Sequence, residues 1–367
     1  MPNTFITPSI VAKEALMQLE SNMVMANLVH TDYSKEFARV GDTVTVRKPA
    51  TFTAKTFLNE VSAQDITEGS VPVKLDRHRD VTVQVTSKEM TLNIQDFSKQ
   101  VIEPAMLALA TQVDADLLAT GIGGAGKINK ATVSPTNLVD IAELAKALDK
   151  NLAPQQNRRM VFSPDHKYRY ALTDNLSKVS YAGDNETLRD ALLGRVYGFD
   201  SYMDQNCPYG AVATAGTATA FKVAGTEGET TVALSGMSAA TATVKAGEGF
   251  IVDGEFYKFT ADGTGTSNAI ASIGIDHPLR ETITTPKDAV LIKGANSLAF
   301  HKNGLALVTR QLELPAGAAK AAIASANGLS VRVVYDYDST HKRDTVSFDI
   351  LYGCAALEKN LLVGLAD

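Results

Sequence analysis

The sequence predicts an α+β fold organised around one long helix, and three patterns carry that prediction. Over residues 93–121 the apolar positions recur with a period near 3.6 and trace a wide hydrophobic stripe. Upstream, two strictly alternating stretches, around Val44 and Val83, bracket a long polar excursion. Downstream, residues 210–285 become rich in Ala, Thr and Gly, lose helical periodicity and show short strand patterns. A chain of 367 residues has room for about two or three domains.

Residues 8–28 carry Val11, Ala15, Leu19 and Met23 at helical spacing behind a candidate cap at Ser9. They read either as a short core helix or as an N-terminal arm that packs on another part of an assembly. Thr43, Val44, Thr45 and Val46 alternate as a half-buried strand does. Val81, Val83 and Val85 alternate in the same way with Thr82, Gln84 and Thr86, and residues 50–70 between the two stretches are polar. A lone two-stranded ribbon is marginal in water, so this one needs a partner surface. Lys74, Asp76, Arg77, His78, Arg79 and Asp80 are candidates for its electrostatic register against a partner. The alternative is a solvated hairpin within a monomer.

In the long helix, Ile102, Met106, Leu109, Val113 and Leu117 form one fully apolar row. Phe97, Val101, Ala105, Ala108 and Gln112 form a second row beside it. Asn93 is placed to cap the start, Pro104 to kink or divide the helix, and Gly121 to end it in the left-handed conformation. At 1.5 Å per residue the element would span roughly 40 Å. Gly121, Gly123 and Gly126 formally match G-x-G-x-x-G, but a dinucleotide loop needs a strand before it and a helix opening on its last glycine. Here the helix comes first, so a hinge after a helix terminator is the better reading.

A second helix is expected over residues 137–152, with Asn137 as cap, Asp140 at its third position, and Ile141, Leu144, Ala145 and Leu148 on one face. Met160, Val161 and Phe162 make a short strand, and Ser163-Pro164 opens another helix with proline in its first turn. Asp165 and His166 fall in that turn. Adjacent helical residues point different ways, and no nucleophile elbow or poised cysteine accompanies them, which argues against catalysis. Residues 186–193 form a third helix ending at Gly194, followed by a strand and a loop.

Within residues 210–285, Asp253-Gly254 suits a two-residue hairpin turn, and residues 230–234 and 270–275 read as strands. The segment is a small all-β insertion looped out of a parent domain that resumes at Asp288. His301 to Gly304 form a turn before a strand at 305–312. Val331, Val333 and Tyr335 then alternate against Val346, Phe348 and Ile350 in a long hairpin with a polar tip.

The six histidines show no metal-ligand spacing, and no paired cysteine motif exists, so neither a metal nor a cofactor is expected. Asp336, Asp338 and Asp344 read as a solvated acidic turn rather than a cation site. Cys207 and Cys354 form no framework, which fits a reducing cytoplasm. No signal peptide is evident at the N-terminus, and no apolar run approaches the roughly 18 residues of a membrane span. The formal charge of −6 argues against a general nucleic-acid binder.

ALLGRVYGFDSYMDQN at residues 191–206 resembles the corresponding region of the major capsid proteins of tailed bacteriophages, those with the HK97 fold. NSLAFHKNGLALVTRQLELP at 296–315 and the pair VVYDYD…SFDILYG extend the resemblance, and the inserted β segment is similar in position to that of a short-tailed-phage branch. The resemblance implies an HK97-like fold with peripheral and axial domains. Its segments would be an arm at 1–39, an extended loop and flanking strands at 40–92, and a spine helix and central region at 93–209. An inserted β domain at 210–285 and a return at 286–367 would follow.

A non-enzymatic coat protein is implied, one that self-assembles as pentamers and hexamers into an icosahedral shell around double-stranded DNA. Scaffolding, portal and decoration proteins are the implied partners, with an expanding procapsid, weak contact with packaged DNA, assembly in the host bacterial cytoplasm and residence in the virion. Some family members crosslink a loop lysine to an asparagine. Lys55 lies in the matching loop, but no partner asparagine aligns, so the crosslink is not carried over. The competing readings are an encapsulin-like nanocompartment shell and a nucleotide-dependent enzyme using Gly121, Gly123 and Gly126.

Overall fold

The computed structural model describes residues 8–31, 43–47, 69–86, 101–132, 135, 137–173, 176, 193–211, 221–239, 241–315, 320–326, 329–338 and 343–367. The chain divides into two compact units. One comprises residues 1–21, 31–109 and 307–357, the other residues 22–30, 110–306 and 358–367.

The first unit opens with α1 (Pro8–Asn22), which buries Val11, Ala12, Ala15, Leu16 and Leu19 along one side. Ser9 lies inside this helix and does not cap it. The expected ribbon is re-paired. Thr43–Arg47 joins Ser70–Lys74, with Val44 opposite Val73, and not the stretch around Val83. That stretch, Arg77–Thr86, instead pairs antiparallel with Arg343–Ala356 of the C-terminal hairpin. The register explains the choice, because Val83 faces Val346 and Val81 faces Phe348, putting apolar against apolar across the ladder. Arg343–Ala356 in turn pairs with Leu329–Asp338, and Lys320–Ala326 follows as the next strand. Val331, Val333, Val346, Phe348 and Ile350 are all buried, as their alternation requires. Gly353 lets the Ser70–Lys74 strand pass close by, since a Cβ there would stand 2.2 Å from the Lys74 carbonyl oxygen.

The long helix, α2, is described over Glu103–Gly123. The expected cap at Asn93 and the upstream residue Phe97 lie outside the described residues. The piece of helix expected before Pro104 lies largely outside the described residues, and the described α-helix begins beside the proline. Pro104 sits in the first turn, where its missing N–H has no intrahelical partner to lose, directly after a wide π-type turn at Val101 and Ile102. The row from Ile102 to Leu117 is fully buried, whereas Ala108 of the second row is exposed. Length and composition alone would let this helix cross a membrane, but 72% of the relevant window is buried inside the protein, as in a core helix.

In the second unit a central sheet runs in the order Lys127–Lys130, Leu362–Ala366, Gly294–His301, Arg158–Phe162, Phe199–Met203 and Arg195–Val196, with Tyr209–Gly210 also joined to Gly294–His301. Every residue of Gly294–His301 is buried. α3 (Val139–Lys150) packs Ile141, Leu144 and Leu148 onto this sheet's core, and α4 (Pro164–Ala171) adds Tyr170. Asn137 stands just outside α3, its Oδ1 accepting from the Val139 N–H at 3.2 Å. Asp140 does not reach back to close a capping box, because it accepts from the Thr132 N–H at 2.8 Å and from the Tyr170 hydroxyl at 2.7 Å. Ser163 caps α4 as expected. The helix expected at 186–193 lies outside the described residues apart from Leu193. Gly194 takes φ +60°, and Tyr197-Gly198 makes a left-handed turn between Val196 and Phe199.

A further six-stranded sheet in this unit is ordered Glu255–Lys258, Gly249–Val252, Ile283–Ile292, Phe221–Gly225, Thr231–Ser235 and Ile270–Gly274, beside a two-stranded ribbon of Thr243–Val244 and Gly263–Thr264. Asp288 was expected to resume the parent domain; it pairs with Lys222 inside this sheet. Asp253 (φ 50°) and Gly254 (φ 73°) form the turn that their residue types predict. Phe221, Phe250, Tyr257 and Phe259 form an aromatic core, with Phe250 and Phe259 stacked at 4.8 Å. Such pairs add about 0.5–1.5 kcal/mol beyond the area they bury.

Candidate functional site

Arg77 to Asp80 of the charged run are presented by the strand Arg77–Thr86, so they alternate between faces. Arg77 is only 3% exposed and Arg79 is half-buried, and both lie on the inner face with Val81 and Val83. His78 and Asp80 lie on the outer face with Thr82 and Gln84. Asp80 Oδ2 accepts from the Thr82 hydroxyl at 3.0 Å, and His78 Nε2 stands 3.4 Å from Asp349 Oδ2. Asp349 is buried and held by Arg332, whose Nη1 also donates to the Glu313 carbonyl at 2.7 Å. Lys74 is exposed at the end of its strand, and Asp76 is half-buried in the turn that follows. The structure therefore brings Lys74, His78 and Asp80 to an outer surface and turns Arg77 inward. Lys55 lies outside the described residues.

A constellation of catalytic type is buried. His166 is 0% exposed; its Nδ1 lies 2.7 Å from Ser297 Oγ and its Nε2 lies 3.2 Å from Asp367 Oδ1. Arg169 donates to Asp367 Oδ1 at 2.5 Å, and the Ala295 N–H donates to Oδ2 at 2.9 Å. Burial lowers the His166 pKa against the opposing pull of Asp367. Burial would raise Asp367, but the bonds from Arg169, Ala295 and His166 outweigh it and hold the carboxyl low. With Ser297 fully buried, no substrate reaches its hydroxyl, so the network serves as a polar clasp. Asp165, the neighbour that makes this place look catalytic in sequence, points outward and is exposed. The carboxylate that matters lies 201 residues further along, beyond any local signal.

The three glycines fit no nucleotide loop either. Gly121 and Gly123 are within α2, and neither adopts a left-handed backbone, so Gly121 is no terminator. A Cβ on Gly121 would stand 2.4 Å from Leu298 Cδ2, one on Gly123 2.7 Å from Ile251 Cγ2, and one on Gly126 2.6 Å from the Lys359 carbonyl oxygen. These are close approaches of protein to protein, with no space for a phosphate.

A buried acid went unnoticed in the sequence. Asp114 interrupts the apolar circumference of α2 and accepts from the Val24 N–H at 2.7 Å and the Met25 N–H at 3.0 Å, tying down the turn after α1. Burial, and then the charge of Asp204, raise its pKa to about 7, against the backbone N–H bonds that favour the carboxylate. Burial likewise raises Asp204 and the Cys207 thiol. The available signal was a charged residue with Ala110, Leu117 and Leu118 one turn away on the same side of the helix.

Among the described residues no group of His, Cys, Asp or Glu could hold a metal. In the hairpin Tyr337, not Asp336, is opposite Asp344, so Asp336 and Asp344 lie on opposite faces and do not converge.

A family model described as P22 coat protein, gene protein 5, matches residues 3–269. Curated proteins returned no match. Among solved structures, one from Mycobacterium phage Che8 aligns with a TM-score of 0.55 at 15% identity, covering 94% of this chain and 90% of that one. The capsid structure of Cyanophage P-SCSP1u aligns with a TM-score of 0.51 at 11% identity, covering 89% and 84%. The fold class is therefore HK97-like, α+β with few helices and many strands.

Proposed function

Since the chain belongs to the P22 coat protein family, we propose that it encloses a double-stranded DNA genome by way of a scaffold-assisted procapsid that matures by expansion. That it is a bacteriophage major capsid protein, structural and non-enzymatic, follows from the family. The proposal adds the DNA, the scaffolding protein, the portal, decoration proteins, assembly in the host cytoplasm and the capsomer forms, pentamers and hexamers. The observation that supports it most is the family match across residues 3–269, and it favours a viral shell over an encapsulin-like compartment.

In this reading residues 1–39 and 40–92 reach neighbouring copies, and the inserted domain expected at 210–285 runs on to Ile292. Lys55, Lys74, Asp76, Arg79 and Asp80 contribute charged inter-subunit contacts, with Arg77 bracing the strand from inside. Many interfaces of moderate strength allow misplaced subunits to dissociate before the shell closes. The net charge of −6 suits a wall that does not grip the packaged polyanion. Co-expression with the scaffolding protein from the same phage, followed by sedimentation, tests the finer claims. Closed particles that form only with scaffold, and widen when it is extracted, are expected. Particles of one unchanging diameter, formed equally well without scaffold, would refute the maturation scheme.

A further inference from the structure

The insertion is joined to its parent at a narrow neck. Tyr209–Gly210 pairs with the start of Gly294–His301, with Gly210 opposite Gly294. Gly294 has φ +60°, and a Cβ on Gly210 would stand 2.0 Å from the Ile292 carbonyl oxygen, so both crossings depend on glycine. A neck of two glycine-bearing strands does not by itself fix the attitude of the body beyond it. A second contact does so from the side. Strand Gly249–Val252 turns Phe250 and Val252 into the insertion's own core, whereas Ile251, only 2% exposed, lies outside that cluster. Ile251 Cγ2 rests over Gly123 in the last turn of α2, and one turn earlier the Thr120 hydroxyl donates to the Gly254 carbonyl at 3.2 Å. The same hydroxyl donates at 2.7 Å to the Asp116 carbonyl, so its one hydrogen is shared and the Gly254 bond is the longer arm of the pair.

We propose that Gly123 and Thr120 form a seat that receives the 251–254 hairpin and sets the orientation of the inserted domain, which otherwise pivots at Gly210 and Gly294. The insertion folds around its own aromatic core, and the seat decides only where it points. This gives Gly123, the last residue of α2, a packing role at the helix end. Its hydrogen is the one side chain that lets Ile251 approach.

Hydrogen exchange by mass spectrometry on the full, unassembled chain tests the seat. For Gly123→Val the expected result is at least a tenfold rise in exchange at residues 250–256 and at the neck, 209–211 and 292–295. Residues 221–235 in the insertion's core should stay within twofold of wild type. Equal protection everywhere would overturn the seat, and lost protection throughout the insertion would overturn its independence. Should Gly123→Val not fold, Gly123→Ala alone is compared with Gly123→Ala/Ile251→Ala, which removes the clashing methyl. The double variant is expected to regain protection at the neck, and failure to regain it refutes the contact.

Discussion

Asp114 shows how one residue ties distant segments together and makes the fold sensitive to pH. Its carboxyl, raised to about 7, stays protonated in the folded chain where the unfolded chain has lost the proton. The stabilisation from this group is full below about pH 4 and is lost as pH rises through about 7. Urea unfolding of the unassembled chain should show this group's share of stability falling by about 1.4 kcal/mol per pH unit through that window. Asp114→Asn should remove that slope, and an unchanged slope would show that Asp114 titrates normally. His277 works in the opposite sense to a buried base. Burial alone would lower it, but hydrogen bonds to Asp276 and Glu255 prevail and lift it to about 9. Its stabilisation is present below about pH 6.5 and lost as pH rises through 9, so His277→Ala should flatten the alkaline limb of the stability curve. Gly121 is a matter of space. Gly121→Ala should cost about 1–3 kcal/mol in urea unfolding, the penalty of overpacking a well-filled core, because the new methyl meets Leu298.

Among the elements, those legible in the sequence were the ones whose pattern is local. The Ile102-to-Leu117 row, the Asp253-Gly254 turn, the Ser163 cap and the C-terminal hairpin all follow from spacing or turn chemistry within a few residues. The pairing of Arg77–Thr86 with Arg343–Ala356 was not legible, since strand alternation names a face and never a partner. For the same reason Gly121 read as a terminator, because the Leu298 side chain that crowds it comes from a strand far along the chain. The charged run was visible as a cluster, but only the strand register showed that Arg77 is interior while Lys74 and Asp80 are exposed. The long sheet has its own polar clamp in Arg332 and Asp349. Arg332→Ala should destabilise the chain by about 3–5 kcal/mol, the usual consequence of stranding a buried carboxylate. A loss under 1 kcal/mol would mean that His78 suffices as its partner.

For the whole molecule, the HK97-like fold and the membership in a coat protein family place the chain in a shell, and the proposed role of the outward charges as contacts between subunits is open to mutation. Lys74→Glu and Asp80→Lys should leave the unassembled chain within about 0.5 kcal/mol of wild-type stability, as surface changes usually do. The yield of closed particles should fall severalfold for each variant alone. Cryo-electron microscopy of the purified wild-type assembly tests the central claim most directly. A closed icosahedral particle is expected, with strand Arg77–Thr86 held in its own subunit's sheet and the loop before it lying on a neighbour. A chain that stays monomeric under every assembly condition, or a particle whose loops all fold back on their own subunits, would contradict it.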